Sequence, residues 1–108
     1  MADVFINAQT VVVAATDTTL YTVPLTTEAV LKITATNIGG TARTFRIAVR
    51  RNGAAIANQM YLVFDASIVA QGTYERAGIT LTATGGQDII MVRADHADVV
   101  FACYGVEV

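Results

Sequence analysis

The sequence predicts an all-β fold, an antiparallel sandwich of two sheets, of the immunoglobulin-like or jelly-roll type, with eight or nine short strands. Short runs rich in Val, Ile and Thr alternate with Gly, Asn, Asp and Pro along the whole chain, as strands alternate with turns. Apolar residues in these runs recur with a period of two, which is the period of a strand. Fifteen threonines favour the same fold, since Thr fits a pleated surface.

The clearest alternation lies in residues 29–51, where two strand-like runs flank a turn. Leu31 and Ile33 alternate with polar residues in the first run, and Phe45 and Ile47 do so in the second. The Asn-Ile-Gly-Gly segment between the runs contains residues that tolerate the positive φ of tight hairpin turns. This pattern predicts a central hairpin with one apolar face, which other strands must cover.

The rest of the chain divides at similar turn signals. Residues 1–9 contain a short apolar run that forms an N-terminal arm or an edge strand, and residues 10–108 form a single β-sandwich domain. Further strands are predicted at residues 10–15, 20–23, 60–65, 73–76, 79–82, 87–94 and 99–108, and residues 67–70 are predicted to form a short strand or a connection. The residues expected to fill the core are Leu31, Ile33, Phe45, Ile47, Leu62, Phe64, Ile90 and Val92.

The composition is apolar for a chain of 108 residues. Hydrophobic residues make up 54% of the chain and charged residues only 15%, against roughly 25% in typical soluble domains. No apolar run reaches the ~18–20 residues of a membrane helix, and the N-terminus lacks the pattern of a signal peptide. We therefore expect no membrane partner, and we expect the surplus apolar surface to contact other protein chains.

The charge pattern argues against nucleic-acid binding and against catalysis. The net charge is −2, and the only cationic cluster is formed by Arg43, Arg46, Arg50 and Arg51, so no nucleic-acid partner is expected. Nucleophilic catalysis needs a base beside the nucleophile and a third group that orients the base, and the single histidine has no such context. We predict no catalytic residue and no cofactor, and we expect that the chain is not an enzyme.

One short segment combines residue types that ligate metals, namely Asp95, His96 and Asp98. These side chains could form a cation clip, but Asp is also favoured in turns for its own geometry. The sequence favours a hairpin turn over a clip, so no metal site is predicted, and cation binding by this turn stays open. The single cysteine, Cys103, is expected to pack as a small apolar residue in the last strand.

The segment Thr-Thr-Leu-Tyr-Thr-Val-Pro at residues 18–24 is the first of several short motifs in the chain. It resembles the opening of small virion proteins of tailed bacteriophages. The resemblance spans residues 17–108 and implies a β-sandwich structural protein of the virion, on the capsid or in the tail. The other motifs are Thr36-Asn37 before a Gly/Thr turn, Tyr61-Leu62 with Asp65, Gly78-Ile79 with Leu81, and the ending from Val99-Val100 to Gly105-Val106-Glu107.

The resemblance and the apolar composition together indicate a function. We expect a non-enzymatic structural protein located in the virion, a capsid decoration (cement) protein that stabilises the shell through subunit contacts. Its expected partners are the major capsid protein or another virion protein, and copies of itself in a homo-oligomer, with a trimer as the expected form. The alternative is a tail-tip or fibre module that binds a host surface glycan, for which Tyr61, Tyr74 and Tyr104 are candidate stacking residues.

Both ends of the chain carry more apolar residues than one core can use. Residues 10–15 and 99–108 are apolar on both strand faces, whereas a strand of a two-layer sandwich has only one face on the core. We therefore expect the N-terminal arm and the outer face of one terminal strand to contact a neighbouring subunit. The predicted subunit-interface residues are Val4, Phe5, Ile6, Val12, Val99 and Phe101.

Overall fold

The computed structural model describes the backbone of residues 4–108 and the side chains of residues 6–108, which form two antiparallel four-stranded sheets. The predicted all-β, two-sheet sandwich is confirmed. Two single 3₁₀ turns, Arg51–Gly53 and Asn58–Met60, lie between β4 and β5. The strands are β1 (Val4–Val11), β2 (Thr18–Thr22), β3 (Glu28–Asn37), β4 (Arg43–Arg50), β5 (Tyr61–Ile68), β6 (Thr73–Thr82), β7 (Ile89–Ala94) and β8 (Val99–Glu107).

The strand order identifies the topology as a jelly roll. The first sheet has the order β1-β8-β3-β6, and the second sheet has the order β2-β7-β4-β5. Consequently β1 pairs with β8, β2 with β7, β3 with β6 and β4 with β5, as in one long hairpin that is wound into two sheets. The sequence allows an immunoglobulin-like sandwich or a jelly roll, and the chain forms the jelly roll.

The predicted central hairpin is wrong. β3 belongs to the first sheet, where it pairs with β8 and β6, and β4 belongs to the second sheet, where it pairs with β7 and β5. The glycines between them have no positive φ, and the space beside Gly39 is occupied by the Asp98 carboxylate, which would have to move to admit a Cβ. The two apolar faces therefore meet across the core instead of lying side by side in one sheet.

The core lies between the two sheets and contains six of the eight residues that the sequence assigns to it. Phe45 is at its centre, with its ring centroid 5.2 Å from that of Tyr74 and 6.4 Å from that of Phe101. Cys103 is buried in β8, as expected. The confirmed core residues are Leu31, Ile33, Phe45, Ile47, Ile90 and Val92.

The other two predicted core residues lie on β5, and their assignment needs correction. Phe64 is 57% exposed on the outer side of the second sheet, and Leu62 is only partly buried at the edge of the core. Val63, which the alternating pattern places on the opposite face from both, is the buried residue of this segment. The residues of β5 that point inward are therefore not the ones that a regular alternation would place there.

Two β-bulges in the pairing of β5 with β4 explain this difference. At the first, Arg46 of β4 faces two residues of β5, Phe64 and Asp65, and both of them are exposed. At the second, Leu62 has no opposite residue. Each bulge adds one residue to β5 and shifts the alternation by one position, so the two-residue period does not hold across the strand.

Other strand limits also differ from the sequence prediction, and residues 61–68 form one strand where a strand is predicted to end at residue 65. The first strand is β1, so the strand predicted at residues 10–15 begins earlier and ends at Val11. β6 is continuous where two short strands are predicted, because a bulge beside Gly78, at φ 74°, keeps its pairing with β3. The turn at residues 95–98 joins β7 to β8, which lie in different sheets, so it is not a hairpin turn.

Two buried polar side chains hold the loops at opposite ends of β3. At one end, the Asn37 amide donates hydrogen bonds to the carbonyl oxygens of Thr41 and Ile68, at 2.7 and 3.2 Å. At the other end, Asp88 accepts hydrogen bonds from two backbone N–H groups and from the Arg51 guanidinium. Because buried polar groups are costly unless they are paired, both residues restrict the loops around them to one arrangement.

Candidate functional surfaces

The outer side of the first sheet carries an apolar strip along β8, which is flanked by mostly polar residues of β1 and β3. In β8 the residues that alternate with buried Val99 and Phe101 point outward, and in the register they lie beside outward residues of β1 and β3. Three of these side chains are well exposed, Val11 at 66%, Val30 at 47% and Tyr104 at 44%. We call this surface the apolar outer face, and it consists of Val11, Val30, Val100, Ala102, Tyr104 and Val106.

An open groove of about 490 Å³ runs along the apolar outer face. Its floor includes Ala102, whose small side chain lies between Gln9 of β1 and Thr34 of β3. None of the side chains that line the groove is titratable, and four of them are polar without being charged. The lining residues are Gln9, Thr10, Val11, Thr34, Thr36, Val100, Phe101 and Ala102.

The structure assigns a different role to four of the residues predicted for a subunit interface. Ile6, Val12, Val99 and Phe101 are buried in the core of this chain, where a neighbouring subunit would not reach them. The side chains of Val4 and Phe5, the other two predicted interface residues, lie outside the described residues. The sequence shows that both faces of β8 are apolar, but it does not show which face points inward.

The outer side of the second sheet carries a different set of side chains. The Tyr61 and Phe64 rings meet edge to face, with centroids 4.9 Å apart. The Arg46 guanidinium carbon lies 4.1 Å from the centroid of the Phe64 ring and 5.8 Å from that of Tyr61. Asp65 accepts two hydrogen bonds from Arg46, at 2.6 Å from Nε and 3.1 Å from Nη2. We call these four residues the aromatic cluster.

The ion pair within the aromatic cluster affects the protonation of both partners. The hydrogen bond from Arg46 lowers the pKa of Asp65, and the same bond raises the pKa of Arg46. Both groups are therefore charged over the physiological pH range. The planar fork of the guanidinium matches the carboxylate, so the pair has a fixed orientation beside the exposed Phe64 ring.

A second ion pair extends the aromatic cluster across the sheet. Arg93 of β7 lies directly opposite Arg46 of β4, and the Asp17 carboxylate is 3.3 Å from the Arg93 guanidinium. Two like charges side by side are unfavourable, and each arginine is offset here by its own aspartate. A depression of about 210 Å³ lies beside this row, and its polar lining residues are Thr44, Arg46, Asp65, Arg93 and Asp95.

The segment considered as a cation clip brings only two of its three candidate ligands together, since His96 Nδ1 lies 3.3 Å from an Asp98 carboxylate oxygen. Asp95 accepts a hydrogen bond from the Thr44 N–H at 3.1 Å, and His96 Nδ1 accepts one from the Asp98 N–H at 3.1 Å. Asp98 also lies 3.5 Å from the Arg43 guanidinium. Within the described part of the chain, no group of three or more His, Cys, Asp or Glu side chains is placed to hold a metal ion.

Other titratable groups of chemical interest are engaged in the fold. Burial raises the pKa of Cys103 to about 11, so its thiol stays protonated and is a poor nucleophile at neutral pH. The Tyr21 hydroxyl donates a hydrogen bond to the Glu107 carboxylate and so connects β2 with β8. Burial, and then this carboxylate, raise the pKa of Tyr21. Among residues 4–108, no helix has the length and apolar character needed to span a membrane.

The three tyrosines considered for sugar stacking have different environments. Tyr74 packs on Phe45 against the core, so its ring does not form part of a binding surface. Tyr104 belongs to the apolar outer face, with the Lys32 ammonium 5.8 Å from its ring centroid. Tyr61 belongs to the aromatic cluster, where it is joined by Phe64. The exposure of Phe64 has no sequence signal, because it depends on the bulge.

Comparisons with protein-family models, with curated proteins and with solved structures gave no significant match to this chain. Fold and surfaces define an eight-stranded jelly-roll sandwich with two chemically different outer faces. The first carries an apolar strip along β8 beside a groove that no titratable side chain lines, and the second combines two aromatic rings with paired charges.

Proposed function

We propose that this chain is a non-enzymatic structural protein of a phage particle, a capsid decoration (cement) protein. In this role it stabilises the shell by burying its apolar outer face against the major capsid protein, another virion protein or further copies of itself. The observation that carries the proposal is the row of outward apolar side chains along β8, with exposed Val11 of β1 beside one end and exposed Val30 of β3 beside the other. The motifs that resemble those of phage virion proteins are the reason for placing this contact in a phage particle.

The energetic reason is that an antiparallel sheet facing water normally has polar residues on its outer side. Each large side chain that moves from water into a contact stabilises it by roughly 1.5–3 kcal/mol, before the loss of ordering entropy is subtracted. Val11, Val30 and Tyr104 alone offer three such side chains. Jelly rolls also occur in viral capsid proteins and in lectins, but the fold by itself does not determine function.

A second candidate function is a tail-tip or fibre module that binds a host surface glycan. The aromatic cluster favours it, because an exposed ring beside fixed hydrogen-bonding groups suits a sugar. The two functions use opposite outer sides of the sandwich. Substitutions on one side therefore distinguish them.

The test compares the wild-type protein with the double variant Val11→Thr/Val30→Thr by light scattering and by sedimentation with phage capsids that lack the protein. Thr keeps the β-branched shape of Val, so the strands are retained while the apolar outer face becomes polar. We expect the wild type to form a homo-oligomer, with a trimer as the expected form, or to bind the capsids. The double variant should be monomeric and bind weakly.

The matched control is Val69→Thr, since Val69 is 67% exposed in the loop after β5 and lies outside the apolar outer face. This control should associate like the wild type. A wild-type protein that stays monomeric at high concentration and does not bind capsids would contradict the proposal. The same conclusion would follow if the double variant associated as tightly as the wild type.

A further inference from the structure

We infer that the aromatic cluster and the depression beside it form a binding site for a neutral saccharide, with the Phe64 ring stacking on the sugar and the Arg46–Asp65 pair binding its hydroxyl groups. The site lies on the second sheet and does not depend on the proposed role of the apolar outer face. The inference rests on backbone geometry, on charge balance and on support from buried neighbours.

The backbone geometry is unusual at the position that exposes the ring. Asp65 has a φ of 50°, in the left-handed region that residues other than glycine rarely adopt. The bulge at this position places Phe64 and Asp65 on the outer side together, whereas a regular strand would turn one of them into the core. Exposure of this large ring thus depends on a positive φ, which costs free energy in residues other than glycine, although Asp adopts it more readily than most. Unfavourable geometry of this kind is concentrated at binding sites.

The charge balance of the depression selects against an ionic ligand. Arg46 and Arg93 are each paired with an aspartate, and Asp95 adds a further carboxylate to the lining. An anion would meet the carboxylates of Asp65 and Asp95, and a cation would meet the guanidinium groups of Arg46 and Arg93, so the depression favours neither charge. A hydroxyl group both donates and accepts, so it can bind a carboxylate oxygen and a guanidinium N–H at the same time without breaking either pair.

The apolar part of the site also fits a sugar. One side of a pyranose ring carries C–H groups, which pack on an aromatic face while the hydroxyl groups at the rim reach polar side chains. Phe64 supplies the exposed ring, and the Arg46 guanidinium lies over one of its faces, so the sugar packs on the remaining exposed part of the ring. Phe64 itself does not line the depression, but Arg46 and Asp65 belong to both the aromatic cluster and the depression, where Thr44 adds a further polar group.

Buried side chains of the second sheet lie beneath the aromatic cluster and support the site. Met91 and Ala48 point away from the core on the outer side of β7 and β4, yet both are buried. Ala48 lies beside Tyr61 in the strand register, so the side chains of the aromatic cluster cover a small apolar layer of their own. This packing and the bidentate pair restrict the orientation of the ring and the polar groups before a ligand arrives.

The experiment is a titration of ¹⁵N-labelled full-length protein, followed by NMR, with four neutral oligosaccharides: maltohexaose, cellohexaose, xylohexaose and mannohexaose. At least one of them should give saturable shifts at the amides of Thr44, Phe64, Asp65 and Arg93. Phe64→Ala should weaken that binding by about tenfold, which corresponds to the loss of one aromatic contact. Asp65→Asn should weaken it as well, and Asn tolerates the positive φ, so the bulge is retained.

The control is Leu25→Ala, because Leu25 is 64% exposed in a loop outside both outer faces and its loss should leave binding unchanged. Saturable shifts with none of the four sugars would overturn the inference. It would also be overturned if Phe64→Ala bound as tightly as the wild type, or if oligomers of glucuronic acid bound more tightly than the neutral sugars. None of these results bears on the association of the apolar outer face, which light scattering measures separately.

Discussion

Two phenylalanines show how much the position of a single residue determines its contribution to the stability of the fold. Phe45 is buried between the sheets, where its ring contacts those of Tyr74 and Phe101. Phe64 has the same side chain but lies on the outer side of the second sheet. Both phenylalanines follow a pattern that predicts burial, and only one of them is buried.

The first prediction at this scale concerns the stability of these two positions. Phe45→Ala should lower the free energy of unfolding by about 3–5 kcal/mol, because it removes buried apolar surface and leaves a cavity. Phe64→Ala should change it by less than about 1 kcal/mol, since an exposed side chain leaves no cavity. Urea unfolding followed by circular dichroism measures both values. Equal losses for the two variants would mean that the face assignment of β4 or β5 is wrong.

At the scale of elements, the loop before β7 depends on Asp88. This carboxylate accepts hydrogen bonds at 2.8 Å from the Asn52 N–H, at 3.0 Å from the Thr82 N–H and at 2.7 Å from Arg51 Nη1. Burial alone would raise the pKa of Asp88, but these three bonds outweigh it and lower the pKa below the ordinary 3.8. The carboxylate thereby connects the end of β6, the turn after β4 and the start of β7.

This arrangement predicts how stability depends on pH. Because the pKa of Asp88 is lower in the folded protein, its contribution is fully present above the ordinary value of 3.8 and is lost as the pH falls through the folded-state value. Asp88→Asn should lower the free energy of unfolding by about 1–3 kcal/mol at neutral pH. The reason is that the NH2 group of Asn replaces one accepting oxygen and then faces an N–H donor, with which it cannot form a hydrogen bond. The difference between the two proteins should shrink in acid.

Urea midpoints measured at a series of pH values from neutral to strongly acidic test this dependence. The control is Asp17→Asn, which removes the exposed pair with Arg93 and should change stability by less than about 1 kcal/mol. If the difference between the wild type and Asp88→Asn stayed constant on acidification, the carboxylate would have no shifted pKa.

At the scale of the whole molecule, the two ends of the chain meet in one sheet. β1 is an edge strand whose pairing runs from Val4 opposite Glu107 to Val11 opposite Val100. Ile6 points inward from β1 and is buried. The N-terminal segment is therefore part of the sandwich from Val4 onward.

Deletion of residues 1–7 consequently tests the fold before it tests association. The deletion removes half of β1 and the buried Ile6 side chain, so we expect the free energy of unfolding to fall by at least about 2 kcal/mol. Thermal and urea unfolding of the shortened chain measure this loss. The Val11→Thr/Val30→Thr variant should stay within about 1 kcal/mol of the wild type, and it is the better probe of association. A shortened chain as stable as the full one would show that β1 adds little to the fold.

The sequence by itself determined the fold class and most of the core. Alternation with a period of two identifies which residues of a strand share a face, and this is enough to assign Leu31, Ile33, Phe45 and Ile47 to the core. It also predicts the surplus of apolar residues in β8. These properties are local, since they depend only on the spacing of residues along one strand.

The tertiary structure alone decided how the strands pair and which apolar face is exposed. An apolar face can meet a second one across the core or lie beside it in one sheet, and β3 and β4 have the same pattern in both cases. The bulges that expose Phe64 depend on the register with β4, and the inward face of β8 depends on its position between β1 and β3. Pairing and register are set by contacts between distant segments, so the two outer faces become visible only in the folded molecule.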